Sequence, residues 1–446
     1  MNKLDSALVT SALKEAGFTF TDRVENADVV LINTCSVRDH AEQRVISHLG
    51  HLKHLKKSKP NMVVGVIGCM AQRLGAELLK DKTVDIVCGP AQIPKITELV
   101  TKALMEKKKT IAVTGKIRQW PAENEELEKF ELVSGLGNSQ LPAQAYVRAM
   151  RGCNNFCSYC IVPYVRGPEV SRPPAAIIEQ VKKLADNGVK LVTLLGQMVN
   201  AYKYKTGDKT YCLADLLRMA SDIEGIEWIR FVTNYPAEEF FDEILQAMAN
   251  LPKVCNYLHI PAQSGSDKIL CAMNRHYTAG RYLEMLAKAR SIVPDIAIAG
   301  DFIVGFPGET DADFEATIDL VKKARYKNCF IFKYSPRPNT TADKRLQDDV
   351  PLEVKKTRNI ELLAVQEKIS EELSAEFLGK EVKILVEGLS KKPHLDSAQS
   401  DGNPQLIGRT ATDYIVVFNG PKSLAGQFAN VKITKTSPLT LFGRPM

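Results

Sequence analysis

The 446-residue chain is 45% hydrophobic, enough to fill the cores of about two to four domains. It has no run of about 18 apolar residues and no basic-then-apolar leader, so the sequence supports neither a membrane span nor a signal peptide, and cytoplasm is the expected compartment. Its 59 basic and 52 acidic residues leave a net charge of +7, which permits an anionic partner such as RNA without demanding one, and its ten cysteines point to metal ligation or catalysis wherever they cluster.

The opening MNKLDSALVTSALKEAGF reads as an amphipathic helix with Leu4, Leu8 and Leu13 on one face and Gly17 as its stop. Apolar strands follow at residues 29–33, 63–68 and 86–88, with lysine-rich helical stretches such as HLKHLKKSK between them, which predicts a small parallel-sheet domain over residues 1–119. Such a domain ordinarily begins with a strand, yet here a helix comes first. The acidic, then Gly/Ser/Asn-rich PAENEELEKFELVSGLGNSQLP predicts a linker over 120–142.

A larger series spans 143–376. Apolar strands recur at AYVRAM, LVTLLG, WIRFVT, YLHIPA, AIAGDFIVGF and CFIFKYS, each followed by a helical stretch, which predicts a parallel β/α barrel or partial barrel. After each strand comes a polar or glycine cluster: RGCNNFCSYC, GQMVN, TNYP, QSGS, GFPGET, SPRPN. Parallel strands place their C-termini on one face, so these clusters are expected to converge on one mouth. A charged helix over 353–373 leads to a last region, 377–445, whose four short strands with glycine turns predict a small antiparallel barrel. The expected fold class is α/β with that barrel appended. From residue 379 onward nine Lys/Arg face five Asp/Glu, a balance of 9 − 5 = +4 that fits contact with an RNA backbone.

CNNFCSYC places Cys153, Cys157 and Cys160 in CxxxCxxC spacing directly after the first barrel strand. Three thiolates from one loop can hold three irons of a [4Fe-4S] cube and leave the fourth open to a substrate atom. A zinc knuckle or a purely structural cluster is the bland reading, but zinc wants a fourth ligand and no further Cys or His lies close in sequence.

With this spacing and Tyr159 before the last cysteine, the chain resembles the radical S-adenosylmethionine superfamily, and more closely its tRNA-modifying, MiaB-type methylthiotransferases. INTCSVRDHAEQ, GVIGCMAQR, RGCNNFCSYCIVPYVRGPEVSRP, LLGQMVNAY, LHIPAQSGS, MNRHYT, DFIVGFPGET, YSPRP and the terminal GRT carry the resemblance over essentially the whole chain. It implies a methylthiotransferase N-terminal domain, a radical core and a C-terminal TRAM domain. It further implies that Cys153, Cys157 and Cys160 hold the cluster that binds and reductively cleaves S-adenosylmethionine to a 5′-deoxyadenosyl radical. A second [4Fe-4S] cluster in the N-terminal domain would supply sulfur, and of its three expected cysteines this chain offers Cys35 and Cys69. MNKLDS matches the family just after its GCQ, so Met1 reads as an internal methionine, and the native protein is expected to start upstream with the missing strand and cysteine.

Further cofactor contacts implied by the resemblance are Gly196 and Gln197 after the second strand, Gln263 and Ser264, and Gly305 and Gly308, all against a plainer role in turn geometry. Ser266 is either a contact or a helix cap, and Arg166 and Arg172 suit phosphate or carboxylate binding, against solvated surface charge. Cys88, Cys212, Cys255, Cys271 and Cys329 read as ordinary thiols. The implied reaction is methylthiolation at C2 of N6-(dimethylallyl)adenosine in a tRNA anticodon loop, with a flavodoxin or ferredoxin as electron donor and a monomeric enzyme. Rivals are relatives that modify a ribosomal-protein aspartate or threonylcarbamoyladenosine tRNA, and, from another class, a non-catalytic RNA-binding iron–sulfur protein. LGQMVN, TNYP and RPNT depart from the family's LGQNVN, TSHP and RPGT, which places Met198 and Asn234 among the residues where substrate contact can differ.

Overall fold

The computed structural model describes residues 1–36, 39–115, 125–134, 143–239, 241–390 and 403–446. It divides into two compact units: Met1–Asn138, Val147–Gln180 and Ser335–Lys344 form the first, and Ser139–Tyr146, Val181–Tyr334 and Arg345–Met446 the second. This division cuts across the domain boundaries expected from sequence, because the cysteine loop groups with the N-terminal sheet.

In the first unit, α1 (Asn2–Glu15) precedes a parallel four-stranded sheet of β1 (Val29–Thr34), β2 (Val63–Gly68), β3 (Ile86–Cys88) and β4 (Thr110–Ala112), in that spatial order. Val9, Ala12 and Leu13 of α1 pack with Ile96, Leu99 and Val100 of α4 (Ile96–Glu106) on one face of the sheet. Val45, Leu49 and Leu52 of α2 (Asp39–Ser58) cover Val64, Val66 and Val87 on the other. This is the alternating apolar pattern of the sequence realised as a three-layer sandwich. β2 is buried along its length, whereas β1, an edge strand, is mostly half-buried. β4 went unpredicted, being three residues long and preceded by a lysine run. α3 (Cys69–Leu74) starts directly at the end of β2.

The expected linker needs correction, because residues 125–134 form α5 (Glu125–Ser134). Leu127 is buried, and Glu128 and Glu131 are neutralised by arginines distant in sequence. The rest of 120–142 lies outside the described residues. The chain crosses between units within β5 (Gln144–Arg148) and again within α7 (Pro174–Asp186), and between them a ribbon of β6 (Met150–Arg151) and β7 (Val170–Ser171) brackets α6 (Val162–Arg166).

All six expected barrel strands are present. β8 (Leu191–Leu195) lies between β5 and β11 (Trp228–Val232), and β13 (Ala297–Val304) lies between β12 (Tyr257–His259) and β14 (Asn328–Lys333). A parallel bridge from Ile229 to Val254 continues the first triplet towards the second, giving a half-barrel. A hairpin, β9 (Lys203–Thr206) and β10 (Lys209–Cys212), follows β8. The helices are α8 (Leu213–Ser221), α9 (Phe241–Asn250), α10 (Asp267–Ala272), α11 (Ala279–Ile292), α12 (Asp311–Ala324), α13 (Thr341–Arg345) and α14 (Leu352–Ala375). In the second unit, buried Tyr282 of α11 donates to Ile260 O (2.8 Å) and accepts from Tyr326, whose ring packs edge-on against Phe302 of β13.

The C-terminal region closes a five-stranded barrel, β15 (Glu381–Leu389), β16 (Gln405–Thr410), β17 (Ile415–Asn419), β19 (Thr440–Pro445) and β18 (Phe428–Thr436) in spatial order. It is not wholly antiparallel as expected: β17 and β19 pair in parallel, and β19 is the strand that closes the ring. Its core of Ile384, Val386, Leu406, Val416, Phe418 and Val431 runs on into Tyr257, Ala297 and Ala299 of the half-barrel. Asp413 clamps the junction, accepting from Arg230 at 3.0 Å and from Arg409 at 3.1 Å, with Lys327 on its backbone carbonyl. Burial outweighs that pairing and pulls the Lys327 ammonium down to about 8.

Candidate active site

All five cysteines singled out by sequence fall in the first unit. Thr34 is paired with Gly68 across β1 and β2, so the residues that follow them, Cys35 and Cys69, leave neighbouring strand ends. Thr34 fastens these ends: its buried hydroxyl donates to Ile67 O (2.6 Å) and accepts from Met70 N (3.1 Å). The start of α1 is stitched to the same place, with Asn2 donating to Thr34 O and Asn33 donating to Asn2 O and Ser6 Oγ. A side chain at Gly68, whose φ is +93°, would strike Asn33 and Thr34 O at 2.6 and 2.7 Å.

Cys69 packs against Ile161 and Val165, so α6, which follows the CxxxCxxC loop by one residue, lies on the second cysteine set. Burial pushes the Cys69 thiol up, and the positive charge of the Arg166 guanidinium opposes that shift. Arg166 is itself fixed by Asp5 Oδ2 at 2.6 Å and Asn2 Oδ1 at 3.1 Å. Asp5 is fully buried and also accepts from Arg148 at 2.6 Å; Arg148 pairs with Glu131, which with Glu128 holds Arg172. Both arginines read as possible phosphate ligands therefore belong to a buried ion network. Burial alone would raise the Asp5 carboxyl, but Arg166 and Arg148 hold it below the usual carboxylate range.

The CxxxCxxC loop is pinched at its base. Gly152 has φ +71°, and a Cβ there would sit 1.8 Å from Pro168 O; Cys153 N donates to Gly167 O at 3.2 Å. Within the loop Cys160 N donates to Cys157 O (2.9 Å), while Ala342 N reaches Ser158 O (2.7 Å) from the 335–344 segment. Cys153 and Cys157 are buried, and Cys160 and Tyr159 half-buried. Among the described residues no three His, Cys, Asp or Glu side chains gather at metal-binding distance. The fit to a [4Fe-4S] cluster rests on the donor set: three soft thiols on one short loop, held at both ends, with no fourth ligand gathered to them among the described residues.

In the second unit the remaining candidates follow strand ends. Gly196 and Gln197 form the bend after β8, and the buried Gln197 Oε1 has no hydrogen-bond partner. An unpaired acceptor fits an ammonium group such as that of S-adenosylmethionine. Gln263 adopts φ +71° and ties its backbone to β13 through Asp301 O and Ile303 N. Ser264 is buried and accepts from Ser266 N (3.2 Å), with Thr317 Oγ1 3.4 Å away. Ser266 caps α10, accepting from Ile269 N. Gly305 N donates to Glu309 Oε1 (2.7 Å), and a side chain there would meet Lys355; Gly308 N donates to Asp349 Oδ1. Both glycines have positive φ, so turn geometry alone requires them.

Sequence profiles match in three stretches: Uncharacterized protein family UPF0004 at residues 1–89, the Radical SAM superfamily at 147–321 and the TRAM domain at 375–446. Proteins named tRNA-2-methylthio-N(6)-dimethylallyladenosine synthase are 43% identical in Rhodopirellula baltica (100% of this chain, 93% of that protein) and 44% identical in a Thermoanaerobacter species (99% and 90%). The chain belongs to this synthase family. It is a radical S-adenosylmethionine enzyme. The synthase from Clostridium botulinum is 42% identical over 99% of this chain and 94% of its own length. Among solved structures, the radical S-adenosylmethionine methyltransferase TsrM from Kitasatospora setae shares the fold, with a TM-score of 0.54 at 15% identity over 76% of this chain and 73% of its own.

Proposed function

We infer that this enzyme methylthiolates C2 of N6-(dimethylallyl)adenosine in the anticodon loop of tRNA. The observation that carries the reading is full-length identity above 40% to synthases of that name, together with an intact Cys153, Cys157 and Cys160 loop.

Cys153, Cys157 and Cys160 would hold a [4Fe-4S] cluster with S-adenosylmethionine, which when bound supplies radical hydrogen abstraction from an unreactive C–H bond. The chain's part is placement. The Gly152–Pro168 pinch fixes the loop. Cys35 and Cys69, on adjacent strand ends, would be two of the three thiolates of a second, sulfur-supplying cluster. The basic C-terminal barrel binds the RNA backbone, and a loop base, unlike one in a duplex, can be splayed into a barrel mouth. Reduction comes from a flavodoxin- or ferredoxin-type donor, and the enzyme works as a cytoplasmic monomer.

Nucleoside mass spectrometry of tRNA from a deletion strain tests the reading. The hypermodified adenosine should lose its methylthio group. Unchanged tRNA with loss of the group from a ribosomal protein would contradict it.

A further inference from the structure

The inner face of the half-barrel carries a row of residues that the proposed chemistry leaves unused. Side chains alternate along a strand, and residues paired across strands share a face. The register sets His259 beside Ala299, two residues before Asp301, and Asp301 beside Phe330. His259, Asp301 and Phe330 therefore project to one side. The alternate residue Phe302 points the other way, onto Tyr326, with Leu258 and Ile331 likewise buried.

One step towards the strand starts, the same inner face is covered: Tyr257, Ala297 and Ala299 lie in the core shared with the C-terminal barrel. That cover ends at the next row, where Phe330 is 47% exposed. His259 Nε2 is 3.3 Å from Asp301 Oδ1, and the His259 and Phe330 rings meet edge-on at 6.3 Å. Asn234 donates to His259 O at 2.9 Å, and its own buried Oδ1 has no partner. A flat apolar ring is thus set beside a polar pair, at the point where the RNA-binding barrel stops covering the sheet.

This combination matches a purine presented out of its stack. The ring offers a face for base stacking, which tolerates any base, and the polar pair offers recognition of an edge. An aspartate that accepts from Nε2–H leaves Nδ1 as an acceptor. An N6-alkylated adenine still carries one N–H to give it. We propose that Phe330, His259 and Asp301 form the pocket for the target purine, with Phe330 stacked on its face and the His259–Asp301 pair receiving its edge N–H. This rests on the RNA substrate inferred above.

The test uses the full-length enzyme and an anticodon stem-loop RNA carrying 2-aminopurine at the target position. Binding to the unaltered enzyme should quench the fluorescence, and Phe330→Ala should abolish the quench and weaken binding about tenfold. Phe330→Tyr should restore both. Asp301→Asn should keep the quench while raising KM for an RNA bearing the alkylated adenosine. A quench in Phe330→Ala equal to that of the unaltered enzyme overturns the pocket and leaves the RNA reading standing. No RNA binding by the unaltered enzyme overturns both. Phe330 is half exposed, so its replacement should leave the thermal unfolding temperature in place.

Discussion

Arg166 Nη2 lies 2.6 Å from Asp5 Oδ2, a contact between residues 161 positions apart. It ties the helix after the CxxxCxxC loop to the first helix of the chain, beside Cys69. Asp5 is fully buried and serves Arg148 as well. Asp5→Ala should therefore strand two buried guanidinium groups and cost about 3–5 kcal/mol in denaturant unfolding. The pH dependence follows from the depressed Asp5 carboxyl. Its contribution is fully present above the unfolded carboxylate range and is lost as pH falls through the lower folded value. Asp5→Asn should flatten the acid limb of the stability curve.

Gly152→Ala should separate folding from cofactor loading. The new methyl group would clash with Pro168 O, and φ +71° is strained for any other residue. The expected result is a folded protein, by circular dichroism, with markedly reduced iron after anaerobic reconstitution. Full iron content would show that the pinch does not govern the loop.

The two cysteine sets should fail differently. Replacing Cys153, Cys157 or Cys160 with Ala should abolish release of 5′-deoxyadenosine from S-adenosylmethionine and reductant. Cys35→Ala and Cys69→Ala should retain that release but form no methylthiolated RNA. Loss of 5′-deoxyadenosine in all five variants would argue for a single shared site.

Asp413 should matter out of proportion to its size. It faces Arg230, Arg409 and Lys327, and Arg230 has no other carboxylate within reach among the described residues. Asp413→Ala should destabilise the junction by about 3–5 kcal/mol. Trp228, edge-on to Phe428 at 4.8 Å, provides the fluorescence signal for it.

Much of this molecule was legible in the sequence because the signals were local. The period of Leu4, Leu8 and Leu13, the spacing of Cys153, Cys157 and Cys160, and the polar cluster after each strand all lie within about a dozen residues. What sequence reading missed is set by distance along the chain. Glu131 reads as part of an acidic linker because its partners Arg148 and Arg172 come later, and Asp5 meets Arg148 across 143 positions. His259 and Asp301 are 42 residues apart, and only strand register brings them together with Phe330. The parallel β17–β19 pairing was hidden likewise, since two short apolar runs do not declare their direction.

The most direct measurement is a single reaction. Enzyme reconstituted anaerobically with iron and sulfide is given S-adenosylmethionine, reductant and an anticodon stem-loop containing N6-(dimethylallyl)adenosine, and the digested nucleosides are weighed. The account predicts an adenosine in which one methylthio group has replaced the C2 hydrogen, formed together with 5′-deoxyadenosine. Release of 5′-deoxyadenosine with unaltered RNA, while a ribosomal protein offered under the same conditions gains the methylthio group, would contradict it.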